Sequence, residues 1–221
     1  MQTARRRKDE SRRGEAGFSL IELVVAIGVT LVIMVVATRL LSMSMLVRQR
    51  EGQRSEAVAD TQRALQAMSR EISNAGLGMS NNGLVADDSD DTSIRIRSNL
   101  NAFCGVTSAC DRNTDGPGED VVYAIINNTD AAGLNQRLIT RQDVNAGNAI
   151  SPLANRIDTL NFTYIKADGT TTLNASQAQK VKVTVTVTLP PVGRQGQPGY
   201  QPPSQMQLVS EVVLRNATLG N

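Results

Sequence analysis

The 221-residue chain has no histidine and only two cysteines. Histidine is the commonest general base, so its absence argues against an enzyme. Two cysteines without histidine cannot complete a tetrahedral zinc site unless carboxylates join them, so structural zinc is disfavoured too. No nucleophile elbow or Ser-x-x-Lys element stands out, and the chain is read as non-catalytic. Strong basicity is also lacking. The net charge of +2 is a property of the tail, where Arg5, Arg6, Arg7, Lys8, Arg12 and Arg13 face Asp9, Glu10 and Glu15 for +3. The remaining 17 basic and 18 acidic residues make −1. No nucleic-acid partner is expected from that balance. Charge itself is missing from Leu23 to Val36.

That gap organises the chain. Residues 1–17 are polar, charged and too short to fold, and read as a targeting leader. Residues 18–47 carry only Glu22 and Arg39 as charges. About 20 apolar residues at ~1.5 Å each span a bilayer core, so a membrane helix is predicted. Positive charge ahead of it predicts a cytoplasmic N-terminus and an exported remainder. A cleaved secretory signal would have a shorter apolar core followed by a small-x-small site, whereas here Ala16-Gly17 precedes the run. A plain signal anchor explains length and orientation but leaves Glu22 unexplained. A carboxylate there is costly in lipid unless it is partnered, which marks it as functional.

Gly17-Phe18-Ser19-Leu20-Ile21-Glu22, followed by Leu-Val-Val-Ala-Ile, resembles the class III signal of type IV pilins and type II secretion pseudopilins. The resemblance implies cleavage between Gly17 and Phe18 by prepilin peptidase, N-methylation of Phe18, and pairing of Glu22 with the Phe18 amine of a neighbouring subunit. It also implies a structural subunit held in the inner membrane and then built into a fibre. Its partners would be major and minor pilins, an inner-membrane assembly platform and a tip adhesin.

From 48 to 75 the pattern is amphipathic, with Val58, Leu65, Met68 and Ile72 on one helical face. Joined to the membrane segment this predicts a helix of about 55 residues, roughly 80 Å long, with Gly28 and Gly52 as weak points and Gly76 and Gly78 as the stop. Residues 76–221 read as a β-rich head. Strands are predicted at Ser93–Arg97, Asp120–Ile126, Arg137–Arg141, Ile157–Ile165, Lys180–Leu189 and Gln205–Arg215. Pro190–Ser204 is expected to lack regular structure, with an exposed adhesive or partner contact as the alternative to the favoured reading, a disordered hairpin connection. The fold class is therefore α+β, a long N-terminal helical spine on an antiparallel sheet. Gly116-Pro117-Gly118-Glu119-Asp120-Val121-Val122-Tyr123 resembles the turn and strand of PilW-type minor pilins and, more distantly, of J-type pseudopilins. A head of about 140 residues is large for a repeating shaft subunit, which points to a priming or tip role.

Behind an export signal, the spacing of Cys104 and Cys110 favours a disulfide closing a tight loop, worth roughly 2 kcal/mol. Asp111, Asn113 and Asp115, ahead of Gly116, match the first half of a calcium loop. The twelfth position is Val122, so Glu119 or Asp120 would have to close the site. A solvated Asp/Asn turn is the favoured reading, and no cofactor is expected beyond that candidate calcium ion. Asp87, Asp88, Asp90 and Asp91 lack regular spacing and read as a solvated loop. Four Asn-x-Ser/Thr triplets are discounted in a bacterial-type chain.

Overall fold

A computed structural model describes residues 17–101, 113–129 and 135–217. The chain divides into two compact units, Met1–Met45 and Leu46–Asn221. One helix, α1 (Leu20–Ser73, 54 residues), contributes to both and runs unbroken through Gly28 and Gly52. No proline precedes Pro117, so nothing in this stretch removes a helical N–H donor.

Within the first unit every described residue is exposed. The apolar run of α1 is long and apolar enough to cross a membrane by length and composition, and none of it is covered by protein. Three of its hydroxyls are satisfied within the helix. Thr30 and Thr38 donate to Ala26 O and Met34 O at 2.7 Å, and Ser42 donates to Thr38 O at 2.9 Å. Backbone and hydroxyl groups satisfied within the segment are what a lipid environment requires.

The second unit packs the later turns of α1 against two four-stranded antiparallel sheets. The first has order β1-β2-β3-β4, with β1 Ser93–Arg97, β2 Asp120–Thr129, β3 Asn135–Asp143 and β4 Ala149–Ala154. The second has order β6-β5-β7-β8, with β5 Thr159–Ile165, β6 Thr171–Thr172, β7 Lys180–Leu189 and β8 Ser204–Val213. The expected α+β arrangement is present, with its strands divided between two sheets. Strands β4 and β6 are additions to the elements expected from the sequence.

Alternation explains the second sheet. Val181, Val183, Val185, Val187 and Leu189 turn inward while the lysines and threonines between them face out, the period-two pattern of a half-buried strand. These valines join Phe162, Tyr164, Ile94, Val121 and Tyr123 in one core with Ala64, Leu65, Met68 and Ile72 of α1. Val58, read from its spacing as part of that stripe, is only half-buried. Each large apolar side chain so buried contributes about 1.5–3 kcal/mol.

The helix ends at Ser73, and Gly76 begins a segment that returns along β1. Gly76 N donates to Arg97 O at 2.9 Å and Arg97 N to Gly83 O at 2.7 Å. Gly83 has φ +74°, and a Cβ there would lie 2.0 Å from Gly76 N and 2.4 Å from Arg97 O. Only glycine fits so close an approach at that φ.

The Pro190–Ser204 connection is ordered, against expectation. Val192 and Gln201 exchange backbone bonds of 3.0 and 2.9 Å, with turns closed by Gln197 N to Arg194 O and Tyr200 N to Gln197 O. Arg50 of α1 clamps it, donating to Pro190 O, to Pro202 O at 2.9 Å and to Ser204 Oγ at 2.7 Å. A buried guanidinium with three acceptors supplies the order that prolines and glycines alone do not.

Candidate assembly segment

Gly17, Phe18 and Ser19 are exposed and non-helical, and the helix begins at Leu20, with Leu23 N donating to Ser19 O at 3.1 Å. Phe18 is 84% exposed. Gly17 has no heavy atom within 4 Å of the place its Cβ would occupy, so the peptide between Gly17 and Phe18 is unobstructed by the described residues. Glu22 sits in the first turn of α1, where a carboxylate is favoured by the helix dipole. Among the described residues nothing bonds to the Glu22 carboxylate or to the Arg39 guanidinium. The two are 17 residues apart, about 25 Å along the helix, too far to pair within one chain.

The candidate calcium set is divided. Asp111 lies outside the described residues, as do Cys104 and Cys110. Asn113 Nδ2 donates to Asp115 Oδ2 at 2.8 Å. The Glu119 carboxylate is buried and accepts from Leu100 N at 2.7 Å, Asn101 N at 3.2 Å and Gly116 N at 2.8 Å. Asp120 takes Arg95 Nε at 2.7 Å and Nη2 at 2.8 Å, and Arg97 Nε at 2.9 Å. Burial alone raises the Asp120 carboxyl, but the two arginines hold it below the usual carboxylate range. The Glu119 and Asp120 carboxylates are thus taken up by N–H donors and guanidinium groups, and no group of three acidic or cysteine ligands occurs among the described residues.

Of the second acidic cluster, Asp88 pairs with Arg95 at 2.6 Å. Asp90 closes its own turn, accepting from Thr92 N and Ser93 N, both at 2.7 Å. Beside it lies an open cleft of about 550 Å³ between this loop, Phe162, Tyr164 and Leu173.

Two polar arrangements could not be read from local sequence. Tyr123 Oη donates to Glu71 Oε2 at 2.7 Å, and Arg141 Nε reaches both Glu71 oxygens at 3.0 and 3.1 Å. Burial, reinforced by the Glu71 charge, pushes the Tyr123 hydroxyl up. Arg50 is the other. Its position between Gln49 and Glu51 gives no local signal, because its acceptors lie 140 to 154 residues away.

A model of the prokaryotic N-terminal methylation motif matches residues 12–38. Neither a curated protein nor a solved structure matches the chain. The matched segment contains Gly17, Phe18 and Glu22, and it supports a type IV pilin-like or pseudopilin-like subunit.

Proposed function

We propose that the chain is a minor type IV pilin of the PilW type, a non-enzymatic subunit that prims assembly or sits at the tip of a type IV pilus. Residues 1–17 are the leader, 18–47 the membrane and assembly helix, 48–75 the amphipathic helix of the head, and 76–221 the exported head. Prepilin peptidase cuts between Gly17 and Phe18 and methylates the Phe18 amine. The chain waits in the inner membrane with its N-terminus cytoplasmic. It then joins major and minor pilins through the assembly platform, and the head meets neighbouring subunits or a tip adhesin. The carrying observation is the N-terminal methylation motif over 12–38, with one carboxylate, Glu22, at the mouth of a fully exposed apolar helix. Transfer to a fibre gives Glu22 and the new amine a partner each, which neither has in lipid.

Co-expression with prepilin peptidase is the test. The intact mass should fall by residues 1–17 and gain one methyl group on Phe18. An unchanged mass rejects this reading and leaves an anchored periplasmic domain. The same signal also serves a J-type pseudopilin of type II secretion. Incorporation into sheared surface pili supports the pilus, and recovery only with a secretion apparatus supports the pseudopilus. No cofactor enters this function. The melting midpoint of the head should be the same in calcium as in chelator.

A further inference from the structure

Arg39 divides the exposed apolar run of α1 into two pieces. From Leu23 to Thr38 there is no charge, and from Leu40 to Val47 there is none either. The whole run is too long for one bilayer. Residues 18–47 make a helix of about 45 Å, which exceeds a hydrocarbon core of roughly 30 Å even at the steepest tilts of about 40° seen for membrane helices. Part of the run must stand outside the core, and Arg39 decides which part.

Two placements compete. A span from Leu23 to Val47 is about 37 Å long and fits only at a tilt of about 36°, close to that limit. It sets Arg39 about 11 Å below the outer edge of the core. A guanidinium at that depth is costly unless it finds a partner, and among the described residues Arg39 has none. The other placement runs from Glu22 to Arg39, about 25 Å, and needs no tilt. Each charge then lies only about 2 Å inside the core edge, and the long Arg39 side chain reaches the headgroups from there.

The composition changes at the same point. Before Arg39 the run is mostly leucine, isoleucine and valine, and soon after it comes Ser42-Met43-Ser44-Met45. Hydroxyl bonding changes nearby. Thr30, Thr38 and Ser42 return their hydroxyls to the helix backbone, whereas Ser44 makes no such bond among the described residues. An unbonded hydroxyl is costly in hydrocarbon and is satisfied by water outside it.

We infer that Arg39 marks the outer edge of the membrane span, with its guanidinium on the lipid phosphates of the exported side, and that Leu40 to Met45 stand above the hydrocarbon core. Phosphate is the anion at that level, and a planar cation with several donors takes it in charge-assisted bonds. The inference rests on the membrane-anchored reading and narrows the span within residues 18–47.

Tryptophan depth measurements test it on the full chain reconstituted in phosphatidylcholine vesicles. The chain has no tryptophan, so one introduced at exposed Leu31 or Met43 is the sole emitter when tyrosine is not excited. Bromine on the lipid chains, placed near the headgroup or near the chain end, quenches it according to depth. Leu31→Trp, at the centre of the Glu22-to-Arg39 span, should be quenched several-fold more by chain-end than by headgroup-end bromine. Met43→Trp, about 19 Å from that centre, should emit to the red and be little quenched by either. Carrying Arg39→Leu and Met43→Trp together should draw the helix in by about four residues, roughly 6 Å. Emission then moves to the blue and quenching by headgroup-end bromine appears, while Arg39→Lys leaves Met43→Trp as it was. Met43→Trp that is already blue and quenched, or that Arg39→Leu does not move, overturns the inference. Either result leaves the membrane-anchored reading standing as long as Leu31→Trp is quenched. Loss of quenching at Leu31 removes that reading, and this inference with it.

Discussion

Arg50 and Ser204, 154 residues apart in sequence, meet at 2.7 Å, and the same guanidinium also holds Pro190 O and Pro202 O. A single helical residue thereby closes both ends of the Pro190–Ser204 connection. Its three acceptors sit on exposed residues that water can reach, so truncation costs the net worth of the bonds and the packing of the buried Arg50 stem, not three desolvation penalties. Arg50→Ala should lower stability by about 1–2 kcal/mol. The chain has no tryptophan, and Tyr123, Tyr164 and Tyr200 all lie in the second unit, so tyrosine emission during urea unfolding of the detergent-solubilised chain reports that unit alone. Chymotryptic cleavage after Tyr200 should speed up in the same variant, well before the core unfolds.

Acid should weaken the head through Asp120. Its folded carboxyl titrates below the usual value because Arg95 and Arg97 outweigh the burial that opposes them. A depressed folded value means stability that is present above the unfolded value of about 3.9 and is lost as pH falls through the folded one. The urea midpoint should therefore drop as pH is taken below about 4. Asp120→Asn should cost about 2 kcal/mol at neutral pH and flatten that acid slope. The depressed Asp90 and Asp168 remain in the variant, so some slope persists. An equal slope in both proteins would remove Asp120 from this role.

Gly83 tests the segment that seals β1. A methyl group there would collide with backbone, Gly76 N and Arg97 O, and not with a side chain free to move. Strain at positive φ adds about 1–3 kcal/mol. Gly83→Ala should therefore lower stability by more than about 2 kcal/mol, read by the same urea midpoint. Gly147→Ala has nothing within 4 Å of the new methyl and isolates the cost of positive φ, so it should cost less.

The legible parts of this fold were those with a periodic pattern and a buried face. Strands β1 and β7 have the limits their alternation sets, and Leu65, Met68 and Ile72 are buried as their spacing requires. Strand β4 escaped because Ala149–Ala154 is mostly exposed and carries a proline, so neither alternation nor β propensity marks it. Asp120 shows the limit of local motifs. It is read as a substitute closing ligand for the half calcium loop at Asp111, Asn113, Asp115 and Gly116, and its carboxylate faces Arg95 and Arg97 on the neighbouring strand. Residues placed across the sheet, and not along the chain, decide what a side chain bonds. The N-terminal signal was readable for the opposite reason, since its residues work as a contiguous segment.

Glu22 is the residue on which the assembly reading turns. It sits one turn into an apolar helix with no bonding partner among the described residues, and the charge of Arg39 is beyond reach along the same helix. Replacing it with alanine removes the one acid from the apolar run, so insertion should be as good or better, and the proposed cut between Gly17 and Phe18 lies four residues away, so processing should be normal. What disappears is the negative charge that would meet the Phe18 amine of a neighbour, a pairing worth several kcal/mol where both ions would otherwise be buried alone. Glu22→Ala should give mature, methylated chain at normal yield in the membrane and a large loss from sheared surface fibres. Glu22→Asp keeps the charge on a shorter arm and should recover part of the loss. Full incorporation of Glu22→Ala in a strain dependent on this subunit would show that the carboxylate is not what docks the chain.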